Sequence, residues 1–383
     1  MRQAVILCGG QGTRLGDLTT ETPKPLLPVG DRPFIEHLIQ EVTRYGFDDI
    51  ILLTGHLGEQ FESYDGTTIN RATIRVSREP EPLNTWGGVA LAHDLLDDYF
   101  LLLNGDSWLD YDLTHLRNME PDGIHMIGRY VKQADRYETL NINKSSVKQI
   151  VPRGDAAHGF INSGVYVVNK VVATDILPDA RSLEQEVLPH LADIFTLTVE
   201  TCQSSTFFID IGIPDDYERA QVAVMQQRTR PALFIDRDNT LTVDEGYTHH
   251  PDDMEFKDGA IDLIKYANHM GYYVFVVTNQ GGVTKGKYEE HYILDFHRKM
   301  QYTLMEHSAH LDAVEYEIGL DSPRRKPQPG MLLDLMRDWP IDMGKSIMIG
   351  DKEADAQVGY NAGIVGHQYL SGNIFELFGE YIT

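Results

Sequence analysis

With 383 residues the chain exceeds what one ordinary hydrophobic core supports, so two domains are expected. Its 42% hydrophobic and 24% charged residues suit a globular protein, and no apolar run approaches the roughly 20 residues that span a bilayer. A formal charge of −25 argues against nucleic acid or an anionic membrane as partner, and two cysteines are too few for a disulfide framework or a cysteine-built zinc site.

The start, MRQAVILCGGQG, enters a strand and a glycine loop with no small-residue cleavage site, so no signal peptide is expected and the cytoplasm is the expected compartment. Cys8 and Cys202 lie beside apolar strand-like runs and read as inert core thiols. AVILCG (4–9), IILLTG (50–55), FLLLNGD (100–106) and GVYVVN (164–169) read as buried strands. Between the first two lies PFIEHLIQEVTRYG (33–46), with Phe34, Leu38, Val42 and Tyr45 at helical spacing and Gly46 as its stop. The polar stretch MQQRTRP (225–231) marks a domain boundary, giving domains 1–228 and 231–383. Alternation then restarts with LFID (233–236), VFVVTN (274–279) and SIMIGD (346–351). The expectation is α/β in both halves, each a Rossmann-like domain with a mainly parallel sheet covered on both faces.

GGQGTRLGDLTTETPKP (9–25) follows the first strand directly. Gly9, Gly10 and Gly12 remove side chains where backbone N–H groups would approach a polyphosphate, with Thr13 next in the loop. Arg14 and Lys24 supply the positive charge a triphosphate needs. This pattern resembles the sugar-1-phosphate nucleotidyltransferases, over roughly residues 1–225. The resemblance implies that Asp106 and Asp210 hold Mg²⁺, and that Asn162, Gly164 and Glu184 contact the sugar. Two departures stand out. Asn84 and Trp86 occupy positions where the family has small glycines, and VPRG (151–154) replaces the usual Glu-Lys pair, with Arg153 as a substitute charge.

In the second half, LFIDRD puts Asp236 and Asp238 at the tip of an apolar run. VVTNQGG brings Thr278 and Asn279, RRKPQPGM brings Lys326, and IMIGDKEAD brings Asp351 and Asp355. In a parallel sheet all these strand ends lie along one edge, where such sheets bind ligands. The series resembles the haloacid-dehalogenase phosphatases. That resemblance implies Asp236 as nucleophile, Asp238 as general acid and base, and Thr278 and Lys326 on the phosphoryl oxygens, with Asn279 beside them. It also implies Mg²⁺ among Asp236, Asp238, Asp351 and Asp355.

DEGYTHHPDDMEFKDGA (244–260), FVVTNQGGVTKG and RKPQPGM are similar to the heptose bisphosphate phosphatases and their histidinol phosphatase relatives. Those carry a structural zinc before the RKP motif; EIGLDSPRRKP (317–327) has no cysteine, so none is expected here, and His249 and His250 read as an exposed loop pair. Arg324 and Arg325 are candidates for reading a second substrate phosphate. Together the resemblances imply a bifunctional enzyme. It removes the 7-phosphate of D-glycero-D-manno-heptose 1,7-bisphosphate and couples the 1-phosphate to a nucleotide, GTP by preference, giving GDP-heptose and pyrophosphate. Its partners are then small molecules, sugar phosphates and an NTP, and a homo-oligomer is compatible with all of this. Two alternatives stay open: the same activities on another sugar phosphate, or a phosphatase with a non-catalytic, nucleotide-sugar-sensing N-terminal domain.

Overall fold

Aliphatic runs too short for helices set the strands, and glycines or polar turns end them. The computed structural model describes Met1–Thr383 and divides into two compact units, Met1–Val224 and Met225–Thr383. The division falls inside helix Pro214–Arg228, at the start of the polar stretch. Met, Gln and Arg are good helix formers, so the helix continues into that stretch and stops short of Pro231.

In the first unit ten strands form one sheet. At its centre Gln3–Leu7 lies parallel to Asp49–Thr54 on one side and to Tyr99–Asn104 on the other. Gly159–Asn169 runs antiparallel between Tyr99–Asn104 and Ile124–Val131, so this sheet is mixed, because the chain there returns through loops and hairpins without crossover helices. Both faces are covered. Ile6, Ile50 and Leu52 pack with helix Phe34–Arg44, while Val5, Ile51 and Leu53 pack with Trp86 and Leu188. That is why AVIL and IILL read as continuous apolar runs without alternation.

The second unit is a five-stranded, wholly parallel sheet in the order Ala313–Glu317, Tyr273–Asn279, Ala232–Ile235, Ile347–Gly350, Val365–Gln368. Phe234 on the central strand is fully buried beside Phe275, in one cluster with Leu332 and Met348. Truncating such a ring to alanine costs on the order of 3–5 kcal/mol. The three inner strands end in register, which delivers Asp236, Thr278 with Asn279, and Asp351 to one edge. No helix of the chain is long and apolar enough to cross a membrane. Cys8 and Cys202 are both free and buried.

Candidate active sites

The first site is built where the short strands Ser107–Leu109 and Phe208–Asp210 pair antiparallel, setting Asp210 opposite Ser107 and beside Asp106. Lys24 Nζ donates to Asp106 Oδ2 at 2.6 Å and Ser107 Oγ donates to Oδ1 at 3.1 Å. Asp210 Oδ1 accepts the Gly212 N–H at 2.7 Å. A Cβ at Gly212 would lie 2.7 Å from that oxygen and 3.4 Å from both Arg14 Nη2 and Lys24 Nζ. Gly212 thus marks the point where both cations and Asp210 meet. Burial pushes the Asp210 carboxyl up, the Asp106 charge adds to this, and Lys24, the Gly212 N–H and Arg14 oppose it. Two neighbouring carboxylates in that state would suit a divalent cation.

Around this centre, Gly12 (φ 65°) caps the turn that begins at the exposed Thr13. Gly10 faces open space and Gly9 lies against Gly55 and the Glu79 carboxylate. On the sugar side Asn162 Oδ1 accepts the Gly164 N–H at 3.0 Å and its Nδ2 donates to Tyr166 Oη at 2.5 Å. Gly164 adopts φ 78°, and a Cβ there would strike Asn104, whose buried Oδ1 has no hydrogen-bond partner. Glu184 Oε2 accepts the Thr85 hydroxyl at 2.9 Å, and Thr85 Oγ1 accepts the Leu183 N–H at 2.9 Å, tying the loop near 84 to the segment near 184. The first departure from the family pattern is explained. Asn84 sits at φ 62°, a conformation glycine favours and asparagine tolerates, and Trp86 is fully buried in the core with Nε1 donating to Leu177 O at 3.3 Å. Arg153 stands in an exposed turn. Glu79, the first residue of EPEPLNTWGGVALA (79–92), presents Oε1 toward Gly9 and Gly88 and accepts the Leu83 N–H at 2.9 Å.

In the second site Lys326 is buried among carboxylates, with Nζ 2.5 Å from Asp236 Oδ1, 2.6 Å from Asp355 Oδ1 and 2.8 Å from Val277 O. Asn279 grips the Lys326 backbone in both directions, Nδ2 to its C=O at 3.1 Å and Oδ1 from its N–H at 3.0 Å. Asn279 therefore acts through Lys326. Ligand atoms of Asp236, Asp351 and Asp355 lie within 4.8 Å of one another, and Asp351 Oδ1 is a buried acceptor with no hydrogen-bond partner, with Lys352 Nζ 3.6 Å away. Burial pushes Asp236 up to about 7; Lys326 opposes this, while the Asp355 and Asp238 charges add to it. Convergent carboxylates with an orphaned oxygen fit a divalent cation.

Asp238 stands apart from that trio. Its Oδ1 accepts Arg237 Nε at 2.6 Å and its Oδ2 accepts Gln280 Nε2 at 2.8 Å. Thr278 Oγ1 accepts the other Gln280 N–H at 2.8 Å, which leaves its own hydroxyl hydrogen for a ligand. Arg324 is not available to a substrate: it is ion-paired with Glu315, Glu317 and Asp334. The Arg325 guanidinium donates to Gly319 O at 3.2 Å and flanks Gly281. The loop before RKP is held by Glu317, which accepts the Gly319 N–H at 2.6 Å and the Ser322 hydroxyl at 2.9 Å. His249 stacks on Tyr288 at 4.5 Å and meets Tyr292 edge-on, which gives it a packing role.

Residues 3–227 match the nucleotidyl transferase family, and residues 323–374 match the HAD-hydrolase-like family. The chain is 32% identical to a D-glycero-alpha-D-manno-heptose 1-phosphate guanylyltransferase of Aneurinibacillus thermoaerophilus, over 57% of this chain and 96% of that protein. It is 41% identical to a D-glycero-beta-D-manno-heptose-1,7-bisphosphate 7-phosphatase of Photorhabdus laumondii, over 33% of this chain and 73% of that protein. Among solved structures, HddC from Yersinia pseudotuberculosis superposes with a TM-score of 0.50 at 30% identity, covering 58% of this chain and 98% of that one.

Proposed function

We propose, for a chain that belongs to the nucleotidyl transferases over residues 3–227 and to the HAD-like phosphatases beyond them, that it carries out two consecutive steps of heptose activation. The reading rests above all on the pairing of relatives in one polypeptide: the phosphatase relative's name describes release of the 7-phosphate, and the guanylyltransferase relative's name describes use of a heptose 1-phosphate. The product of one step is a substrate of the other.

In the C-terminal unit Asp236 attacks the 7-phosphate, Lys326 and the Thr278 hydroxyl hold the phosphoryl oxygens, and Asp238 protonates the leaving alkoxide and then takes a proton from water. Arg325, free of carboxylates, reads the distal 1-phosphate. In the N-terminal unit the 1-phosphate oxygen attacks the α-phosphate of the NTP, with Arg14 and Lys24 taking up the charge on departing pyrophosphate. Asp106 with Asp210, and Asp236 with Asp351 and Asp355, would hold Mg²⁺, which would supply the neutralisation of phosphoryl charge that lets the anionic reactants approach. Asn162, Gly164 and Glu184 orient the sugar. We place this work in the cytoplasm, where nucleoside triphosphates are made.

Guanine is favoured by Glu79. A carboxylate beside the phosphate loop matches the adjacent N1–H and N2–H donors of guanine, whereas uracil and thymine flank their single donor with two acceptors. The relatives also differ in anomer, alpha for the transferase and beta for the phosphatase. Hydrolysis at C7 leaves C1 untouched, so consecutive use requires one anomer, and the transferase step sets it as alpha. Phosphate and pyrophosphate release from both anomers of the heptose bisphosphate and from a hexose bisphosphate, each with GTP, CTP, UTP or dTTP, tests the reading. Fastest turnover with a hexose bisphosphate would overturn it.

A further inference from the structure

Gln280 makes every hydrogen bond its amide can make. Its Nε2 donates to Asp238 Oδ2 and to Thr278 Oγ1, both at 2.8 Å. Its Oε1 accepts Arg237 Nη2 at 2.9 Å and the Tyr288 hydroxyl at 2.7 Å. A primary amide offers two donors and two acceptor sites, and here each is used, so only one orientation of the amide satisfies its surroundings. Gln280 is 2% exposed, Arg237 1%, Thr278 0% and Tyr288 9%. Water therefore has little room to replace a lost partner. Arg237 is fixed in turn by the Phe296 ring, 4.6 Å from its guanidinium carbon, and its Nε closes the second oxygen of Asp238 at 2.6 Å. Tyr288 is fixed by the stacked His249 ring. Burial pushes the Tyr288 hydroxyl up, which keeps it protonated and able to donate.

We infer that Gln280 is a positioning residue of the phosphatase site, one that sets the aim of Asp238 and of the Thr278 hydroxyl together. This inference rests on the phosphatase reading, in which Asp238 passes the proton and Thr278 holds a phosphoryl oxygen. Arg237 and Tyr288 act behind Gln280 and orient it. With one amide hydrogen on Thr278 Oγ1, that hydroxyl has its own hydrogen directed elsewhere, toward the phosphoryl group. With the other on Asp238 Oδ2, the carboxyl keeps a fixed place from which to give a proton to the leaving alkoxide and later take one from water. Without Gln280, Asp238 keeps only the Arg237 contact and is free to turn about its Cα–Cβ and Cβ–Cγ bonds.

A leaving-group comparison separates this role from a general structural one. An alkoxide leaving group needs the proton from Asp238, whereas p-nitrophenolate leaves without it. The full-length protein with Mg²⁺ is assayed on an alkyl phosphate (fructose 1,6-bisphosphate) and on p-nitrophenyl phosphate, as wild type, Asp238→Asn, Gln280→Leu and Tyr288→Phe. Gln280→Leu is expected to lose about 30-fold or more in kcat/KM on the alkyl ester and about threefold on the aryl ester, following the pattern of Asp238→Asn. Tyr288→Phe, which keeps the ring and removes one anchor of the amide, shows the same bias at smaller size. It serves as the test if Gln280→Leu does not fold. Equal losses on both esters, or none, in the folded variants would overturn the assignment. Wild-type protein that cleaves neither ester nor the 7-phosphate of D-glycero-D-manno-heptose 1,7-bisphosphate would overturn the phosphatase reading itself.

Discussion

Lys326 places its ammonium 2.5 Å from Asp236 and 2.6 Å from Asp355, and these three side chains are 3%, 5% and 2% exposed. Two cations, Lys326 and Lys352 (3.6 Å from Asp351), thus face the three carboxylates Asp236, Asp351 and Asp355, so the centre carries more negative than positive charge.

The two partners should respond oppositely to neutralisation. Lys326→Met leaves buried carboxylates uncompensated and is expected to cost on the order of 3–5 kcal/mol of stability without Mg²⁺, besides at least about 100-fold in phosphatase rate. Asp236→Asn abolishes phosphate release yet raises the melting temperature of the metal-free protein, because it removes one like charge and leaves Lys326 its Asp355 partner. Thermal unfolding of both variants, with and without Mg²⁺, checks the pair. A metal-free Asp236→Asn that melts below wild type would count against this charge balance.

The two chemistries should be separable by single substitutions. With each step given its own substrate, Asp106→Ala is expected to lower pyrophosphate formation from heptose 1-phosphate and GTP by about 1000-fold while leaving phosphate release from the heptose bisphosphate within about twofold, and Asp236→Asn to do the reverse. Parallel phosphate and pyrophosphate assays on each variant decide this.

Base choice should move with Glu79. Glu79→Gln replaces one acceptor by a donor opposite the guanine donors, and is expected to lower kcat/KM for GTP by about tenfold while UTP and dTTP change little. Steady-state kinetics across the four nucleotides measures it; a uniform loss would mean that Glu79 only supports the loop.

A pH signature belongs to His115 and Glu200, which lie 2.9 Å apart in the first unit. The hydrogen bond to Glu200 raises the His115 imidazole above its ordinary value. For Glu200, burial pushes up, but hydrogen bonds from His115, His125 and Tyr111 outweigh it and hold the carboxyl low. A raised histidine contributes stability that is present below about pH 6.5 and is lost as pH rises through its folded value. The depressed Glu200 contributes throughout the neutral range. His115→Gln should therefore lower the melting temperature at pH 6 and approach wild type above pH 8, a trend that thermal scans across that range would show.

Much of the phosphatase site is legible in the sequence, and the reason is local. Asp236, Thr278 and Asp351 each end an apolar run, and parallel pairing alone carries those ends to one edge. The segment from Gly9 to Lys24 is equally plain, through glycines and cations at close spacing. What stays hidden depends on contacts far apart in sequence. Nothing near Gln280 predicts that Arg237, 43 positions away, and Tyr288 both donate to its Oε1. Arg324 reads as free for a phosphate, but Glu315, Glu317 and Asp334 converge on it. Trp86 stands where the family has a small glycine, yet the turn started by Asn84 at φ 62° sends its ring into the core. Glu79 opens EPEPLNTWGGVALA (79–92), a stretch similar to the family's base- and sugar-side loop, but only the folded glycines Gly9 and Gly88 reveal that its carboxylate stands beside the phosphate loop.

The central claim, two consecutive reactions in one chain, is tested most directly by a phosphorus NMR time course of the purified protein with Mg²⁺, GTP and D-glycero-α-D-manno-heptose 1,7-bisphosphate. The predicted result is loss of the 7-phosphate resonance with growth of inorganic phosphate, followed by pyrophosphate and the paired resonances of a nucleotide sugar. Pyrophosphate that grows while the 7-phosphate stays in place, or phosphate release that no nucleotide-sugar signal ever follows, would contradict it.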